Sequence, residues 1–446
     1  MWRSFARIPW LALLFVVGGT GIARGQSFLN FESGHVRPLA LSPAGERLFA
    51  VNTPDNRLEI YTITAGGLSL ATEVAVGLEP VAVATRTNGA GRTEAWVTNL
   101  LSDSVSIVEV DPTNVTLSRV TRTLLVGDEP RDVVFAGTGR NRAFITCAHR
   151  GQNRPGDPQL TTPGIGRADV WAFDANNLGA ALGGTPIQGS PLALFGDTPR
   201  ALAVSPDGAT VYAAVFNSGN RTTTITETVV SNQNNNPHGL PPPPPGSTPG
   251  APSTGLIVKF NGSQWVDEIN RDWSAFVPFA LPDKDVFLIN ANSTPLAPAG
   301  GTNVVSGVGT VIFNMAVRPT NGKVYVANTD AVNQVRFEPD VRGRLALSCI
   351  TVISGTTATP HHLNPHINYA VVPGRSRRST AASPSRRTWP SLPTGTRCSW
   401  PASAPARSAP STRATSRPAS SRSSRRRWGR VRAGSCSMPP TTGSTS

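Results

Sequence analysis

"GDTPRALAVSPDGATVYAAVF", Gly196–Phe216, decides the fold. An apolar run follows Pro199, a Ser-Pro-Asp-Gly turn interrupts it, and a second apolar run closes the unit. Asp207-Gly208 supplies the positive-φ residues of a short hairpin turn. The same order of Gly, Pro, strand, turn, strand returns in "GHVRPLALSPAGERLFAVNT" from Gly34, "GLEPVAVATRTNGAGRTEAWVTNL" from Gly77 and "GDEPRDVVFAGTGRNRAFITCA" from Gly127. A fifth copy, "GTVIFNMAVRPTNGKVYVANT" from Gly309, lacks the early Pro and carries its turn on Asn321-Gly322. Alternation of Leu39 with Leu41, and of Val81 with Val83, sets one face of each strand against a core.

Repeats of this kind cannot bury an apolar face alone and must stack on their neighbours. Third strands are expected at "SVSIVEVD" ending at Asp111, "ADVWAFD" at Asp174, "GLIVKFN" at Asn261 and "NQVRFEP" at Pro339. The first two gaps between repeat starts fit the ~40–50 residues of a four-stranded propeller blade. The wider gaps hold insertions. Residues 231–254, "SNQNNNPHGLPPPPPGSTPGAPST", read as an exposed disordered loop inside the fourth blade. Residues 262–308 read as a second insertion, with a strand at "KDVFLIN". The expectation is an all-β chain: a β-propeller of four-stranded blades over residues 26–373, with about five blades readable.

"KVYVANT" (323–329), "EAWVTNL" (94–100), "RLFAVNT" (47–53) and "SPDGATVYAAV" (205–215) resemble the YVTN family of β-propeller repeat proteins. The resemblance covers residues 34–353. It implies the propeller fold and leaves the activity open, because this architecture hosts binders, scaffolds and enzymes. "FNMAVRPTNGKVYVANTDAVNQVRFE" is also similar to propeller regions of large bacterial secreted proteins with c-type haem domains. That similarity implies an electron-transfer or peroxidase-like partner. The chain contains no Cys-x-x-Cys-His, so it attaches no such haem itself, and no cofactor is expected.

The chain carries a formal charge of +14, yet residues 375–446 hold fifteen arginines and no Lys, Asp, Glu or His. The remainder is near neutral. Few aliphatic residues and dense arginine predict a disordered Arg/Ser/Pro-rich tail over residues 374–446. Its codons suggest an origin. Shift the frame by two nucleotides across Leu392–Trp400, and the codons permit Pro-Asp-Gly-Asp-Ala-Leu-Phe-Val. The next junctions give Ala and permit Gly-Phe-Gly-Ser-Gly, so the string matches the hairpin Ser205–Gly219. "RSTAASPSRRTWP" and "GSCSMPPTTGST" also yield apolar alternation in that frame. The tail therefore reads as a frameshift near Gly374, and the intact frame as about seven blades. No selected nucleic-acid binding is expected, since aromatic residues interleave the tail only at Trp389, Trp400 and Trp428.

At the other end, Arg3 and Arg7 precede an apolar core from Pro9 to Val17, and Ala23 and Gly25 flank a cut before Gln26. Residues 1–25 read as a signal peptide. The apolar run is too short for a comfortable span, and no later stretch could cross as a helix. The mature chain is expected to be periplasmic or extracellular, with no transmembrane span.

Chemistry-bearing patterns are sparse. His361, His362 and His366 in "TPHHLNPHINY" are the candidate metal ligands. Prolines bracket them, which excludes helical i, i+4 geometry. His149 is a lone loop histidine. "GIGRAD" (164–169) lacks the strand and helix of a nucleotide site. Asp207 and Asp330 are assigned to turns. Cys147 and Cys349 are expected as small buried residues and not as a disulfide. No catalytic residue is nominated. The reading is an exported β-propeller binding or scaffold module without catalysis of its own, taking an unknown protein or small-molecule ligand at the propeller face. One alternative is a propeller fragment of a haem-containing electron-transfer or peroxidase-like protein. Another is a lactonase-type hydrolase, because seven-bladed lactonases are similar to this repeat.

Overall fold

The computed structural model describes residues 34–153, 167–219, 221–231, 255–267, 270–277, 283–331 and 346–367. The segment expected as a signal peptide, the poly-Pro stretch, "NQVRFEP" and the Arg-rich tail lie outside them.

Each repeat folds into an antiparallel sheet. Blade 1 is β1 (Leu39–Leu41), β2 (Arg47–Asn52), β3 (Arg57–Thr64) and β4 (Gly67–Ala75). Blade 2 is β5 (Pro80–Thr87), β6 (Thr93–Asn99), β7 (Ser104–Glu109) and β8 (Arg119–Leu125). Blade 3 is β9 (Val133–Ala136), β10 (Arg142–Cys147), β11 (Ala168–Asp174) and β12 (Leu192–Leu194). Blade 4 begins with β13 (Pro199–Val204) and β14 (Thr210–Val215). The chain then leaves it to build a satellite sheet of β15 (Thr222–Ile225), β16 (Leu256–Phe260) and β17 (Trp265–Val266). It returns as β18 (Val286–Asn290), which pairs with β14 and carries β19 (Ala297–Pro298) and β20 (Val304–Val305). Blade 5 is β21 (Val311–Val317), β22 (Val324–Ala331), β23 (Ala346–Ser354) and β24 (Thr357–His362). The fold is an all-β propeller.

Two strand assignments are corrected. "GLIVKFN" is not the third strand of blade 4 but the middle of the satellite sheet, which has its own core around Leu256, Val258, Trp265 and Trp273. "KDVFLIN" takes the blade position, placing Ile289 opposite Val211 and Phe287 opposite Ala213. In blade 5 the third strand is β23, with Val352 opposite Tyr325.

The repeat signature has a steric cause. A Cβ on Gly77, Gly127, Gly196 or Gly309 would lie 2.1–2.6 Å from Ser102, His149, Val215 or Asn328 respectively, so only glycine lets the leading loop lie on the sheet. The residue before the repeat proline is left-handed in three blades: Glu79, Glu129 and Thr198 have φ of 51°, 49° and 55°. Asn328, from the "VYVANT" stretch, clamps the loop by donating from Nδ2 to the Val308 carbonyl at 2.8 Å. At the hairpin tip of blade 4, Gly208 has φ 77° and Asp207 accepts from Ala209 N at 3.0 Å, as a turn residue should. Asp330, by contrast, lies in β22 and pairs with Lys259 of the satellite sheet at 2.7 Å, so its turn assignment is corrected.

Four apolar cores join successive blades. Phe49, Leu58 and Ile60 of blade 1 meet Val83, Ala95 and Val97 of blade 2. Trp96 and Ile107 of blade 2 meet Ile145, Trp171 and Phe173 of blade 3. Phe144 and Val170 of blade 3 meet Leu202, Val211 and Ile289 of blade 4. Ala203 and Val286 of blade 4 meet Ile312, Met315 and Val326 of blade 5. Among the described residues no such core joins blade 5 to blade 1. Leu39 and Leu41, expected against a core, are accordingly 38% and 55% exposed.

Candidate functional site

The innermost strands β1, β5, β9, β13 and β21 converge on one cavity of about 480 Å³. Its walls are short aliphatic side chains such as Ala84, Val134 and Val204, because the sheets crowd at the axis. The charged groups among its described lining are Arg37 and Arg140.

Arg37 forms a bolt between blades. Its Nε and one terminal nitrogen donate to the two oxygens of Asp132, each at 3.0 Å, and that nitrogen also donates to the Leu202 carbonyl at 2.8 Å. Asp132 is fully buried and accepts in addition from Leu202 N at 2.8 Å. Blade 1 is thereby tied to blades 3 and 4 across the axis. Burial works against the Arg37 charge, and the adjacent Asp132 carboxylate outweighs it. The Arg37 side chain as a whole is 26% exposed.

A second arginine extends the bolt. Arg200 donates to the carbonyls of Gly34 (3.2 Å), His35 (2.7 Å) and Phe313 (3.2 Å). Asn314 of blade 5 donates to the Val36 carbonyl at 3.0 Å. Thr53 Oγ1 contacts His35 Nε2 at 2.5 Å and donates to the Pro80 carbonyl at 2.7 Å. The segment Gly34–Arg37 is therefore held by four blades. Arg140 donates to the carbonyls of Phe135 (3.4 Å) and Pro206 (3.3 Å).

The histidine cluster is not assembled by the fold. His361 and His362 are consecutive in β24, opposite Ile350 and Cys349, so their side chains leave opposite faces of the sheet. His366 follows on an exposed turn. No group of three or more possible metal ligands occurs among the described residues. His149 lies on a loop where its carbonyl accepts from Asp128 N at 2.8 Å. Asp169 of "GIGRAD" is buried in β11 with Arg150 at 3.4 Å. Cys147 and Cys349 are both buried and free.

Sequence reading missed a carboxyl pair. Asp283 and Asp285 lead into β18. Asp285 is fully buried and accepts from Val308 N at 2.6 Å, and Asp283 accepts from Gly307 N at 2.9 Å. Burial first, then the charge of Asp283, push Asp285 up to about 7. The Asp283 and Ser218 side chains also hydrogen-bond the Asp285 carboxyl, the first raising its pKa and the second lowering it. The D-x-D spacing before an apolar strand was the available signal. The pair sits beside the loop that enters blade 5 and fixes that loop.

Neither a protein-family model nor a curated protein matches the chain. Among solved structures, hydrazine synthase of Kuenenia stuttgartiensis is similar over 77% of this chain and 70% of its own, at 16% identity and a TM-score of 0.44. A functionally unknown protein from Desulfotomaculum acetoxidans is similar over 40% of this chain and 50% of its own, at 18% identity and a TM-score of 0.27. The propeller assignment stands on the sheets themselves.

Proposed function

We propose that this chain is an exported binding or scaffold module whose ligand enters the axial cavity. The observation that carries this reading is the cavity's chemistry: aliphatic walls with the guanidinium of Arg140, beside Arg37, whose charge Asp132 pairs. Such a lining suits a small ligand with an apolar body and an anionic or acceptor group. The described lining contains no carboxylate, and the nearby Asp132 is spent on Arg37 and Leu202. A lactonase-type site would need carboxylates free to hold a divalent ion, so the binder is preferred to the hydrolase. The propeller-fragment reading of a haem protein remains the second reading, resting on the "FNMAVRPTNGKVYVANT" resemblance alone.

Thermal-shift titration with mono- and dicarboxylates tests the binder. At least one is expected to raise the melting temperature, and Arg140→Ala is expected to remove most of that shift. Turnover of a lactone panel in the presence of calcium, with no carboxylate shift, would reverse the preference.

A further inference from the structure

Each inner strand runs from its glycine-led loop toward its hairpin turn, so residue number measures depth along the axis. The bolt fixes one level. Arg37 reaches Asp132 and the Leu202 carbonyl, Val83 N donates to the Arg37 carbonyl at 2.9 Å, and Asn314 donates to the Val36 carbonyl. Every described lining residue stands at this level or beyond it toward the hairpins. Exposure follows the same order. Val83, Val133 and Leu202 are fully buried and Met315 is 2% exposed. Thr85, Val204 and Val317, two residues nearer the turns, are partly exposed. Phe135 stays buried at that depth because Trp96 packs edge-on against it, with ring centroids 5.4 Å apart. The cavity is therefore blind. The segment Gly34–Arg37 stops it on the loop side, and it opens toward the hairpin tips.

Arg140 stands at that opening. It lies on the turn between Gly137 and Asn141, and its guanidinium reaches the Pro206 carbonyl on the turn of blade 4. Two of its five N–H donors are used on carbonyls. Among the described residues no carboxylate lies within ion-pair distance of it. Asp207, on the neighbouring turn, accepts instead from Ser205 Oγ and Ala209 N. At the blind end the one guanidinium, Arg37, is already paired with Asp132.

We propose that the cavity takes a single-tailed monocarboxylate tail first, entering between the hairpin tips, with its carboxylate on Arg140 and its tail ending against the Gly34–Arg37 segment. This rests on the binding reading above and adds the ligand's polarity, entry side and length limit. A charge driven to the blind end would lose its hydration and gain no new partner. An apolar tail there gains by leaving water. Residues Val133–Ala136 span about 10–13 Å of strand, which limits the tail.

Calorimetric titration of the chain 1–446 with linear monocarboxylates from butanoate to dodecanoate tests it. Affinity is expected to rise about fourfold per added methylene and to stop rising before dodecanoate, where the tail meets the bolt. The dicarboxylate and the alkylammonium of the best length should each bind at least roughly tenfold more weakly. Arg140→Ala should weaken the best monocarboxylate at least roughly tenfold. A second arm needs no ligand. With Cys398→Ser and Cys436→Ser in place, and Cys147 and Cys349 buried, Val204→Cys should react several-fold faster with an anionic than with a cationic methanethiosulfonate. Adding Arg140→Glu should reverse that order. Failure of every carboxylate to bind overturns the binding reading and this proposal together. Three results overturn the proposal alone: affinity still rising at dodecanoate, equal binding of the alkylammonium or dicarboxylate, or labelling of Val204→Cys indifferent to reagent charge.

Discussion

The two faces of blade 1 differ less in composition than in fate. One carries Phe49, Val51, Leu58 and Ile60, all under 9% exposed against blade 2. The other carries Leu39, Leu41, Leu48, Tyr61 and Leu70, and no described blade covers it. A hairpin repeat sets which residues share a face. Whether that face is core depends on the array. A bare apolar sheet face favours association with other chains.

The covered face should be costly to damage and the bare face cheap. Phe49→Ala is expected to destabilise by about 3–5 kcal/mol, from lost burial plus the cavity left behind. Leu41→Ala should cost under about 1 kcal/mol. Urea unfolding of the two variants compares them directly, and equal losses would mean both faces are core.

The bolt across the axis should come next, because among the described residues no apolar core joins blade 5 to blade 1 and other ties matter more. Arg37→Ala leaves Asp132 buried and unpaired, and about 3 kcal/mol is expected to be lost. Asp132→Asn with Arg37→Met should recover part of that loss. A neutral Arg37→Ala in chemical denaturation would show that the four inter-blade cores suffice.

A covered seam also carries a pH signature. Asp285, between blades 4 and 5, is held up to about 7 in the folded protein, whereas an unfolded aspartate ionises near ~4. A raised acid contributes its stability fully below the unfolded value and loses it as pH rises toward the folded one. Stability should therefore fall between about pH 4 and 7 by on the order of 2–4 kcal/mol from this pair. Asp285→Asn keeps an acceptor for Val308 N and should remove that part of the slope. Parallel pH profiles of the two proteins would refute the assignment.

The smallest effect lies in the leading loops. Thr198 is β-branched at φ 55°, a conformation glycine adopts without strain. Thr198→Gly is expected to be neutral or to stabilise by up to about 1 kcal/mol. A clear loss in a thermal melt would show that the Thr198 side chain is needed in the loop.

Much of this was legible in the chain. The leading Gly, the hairpin turns and, in four of the repeats, the early Pro placed the first two strands of each blade. The third strands of blades 4 and 5 were not legible, because "GLIVKFN" and "KDVFLIN" have the same alternation and only pairing with β14 distinguishes them. The axial site was the least legible part. Arg37, Asp132, Arg140 and Arg200 belong to different repeats and meet only when the sheets converge. The histidines show the converse, since neighbours in sequence, His361 and His362, lie on opposite faces of one strand.

The central claim is that blade 1 has one covered and one bare apolar face, and the reactivity of a thiol placed on each tests it most directly. Leu41→Cys should react with a maleimide at nearly the rate of a free thiol in the chain 1–446, since that position is 55% exposed. Val51→Cys, on the covered face, should be protected at least roughly tenfold, as a core position opened only by unfolding would be. Equal rates at the two positions, or protection of the Leu41→Cys thiol, would contradict the account.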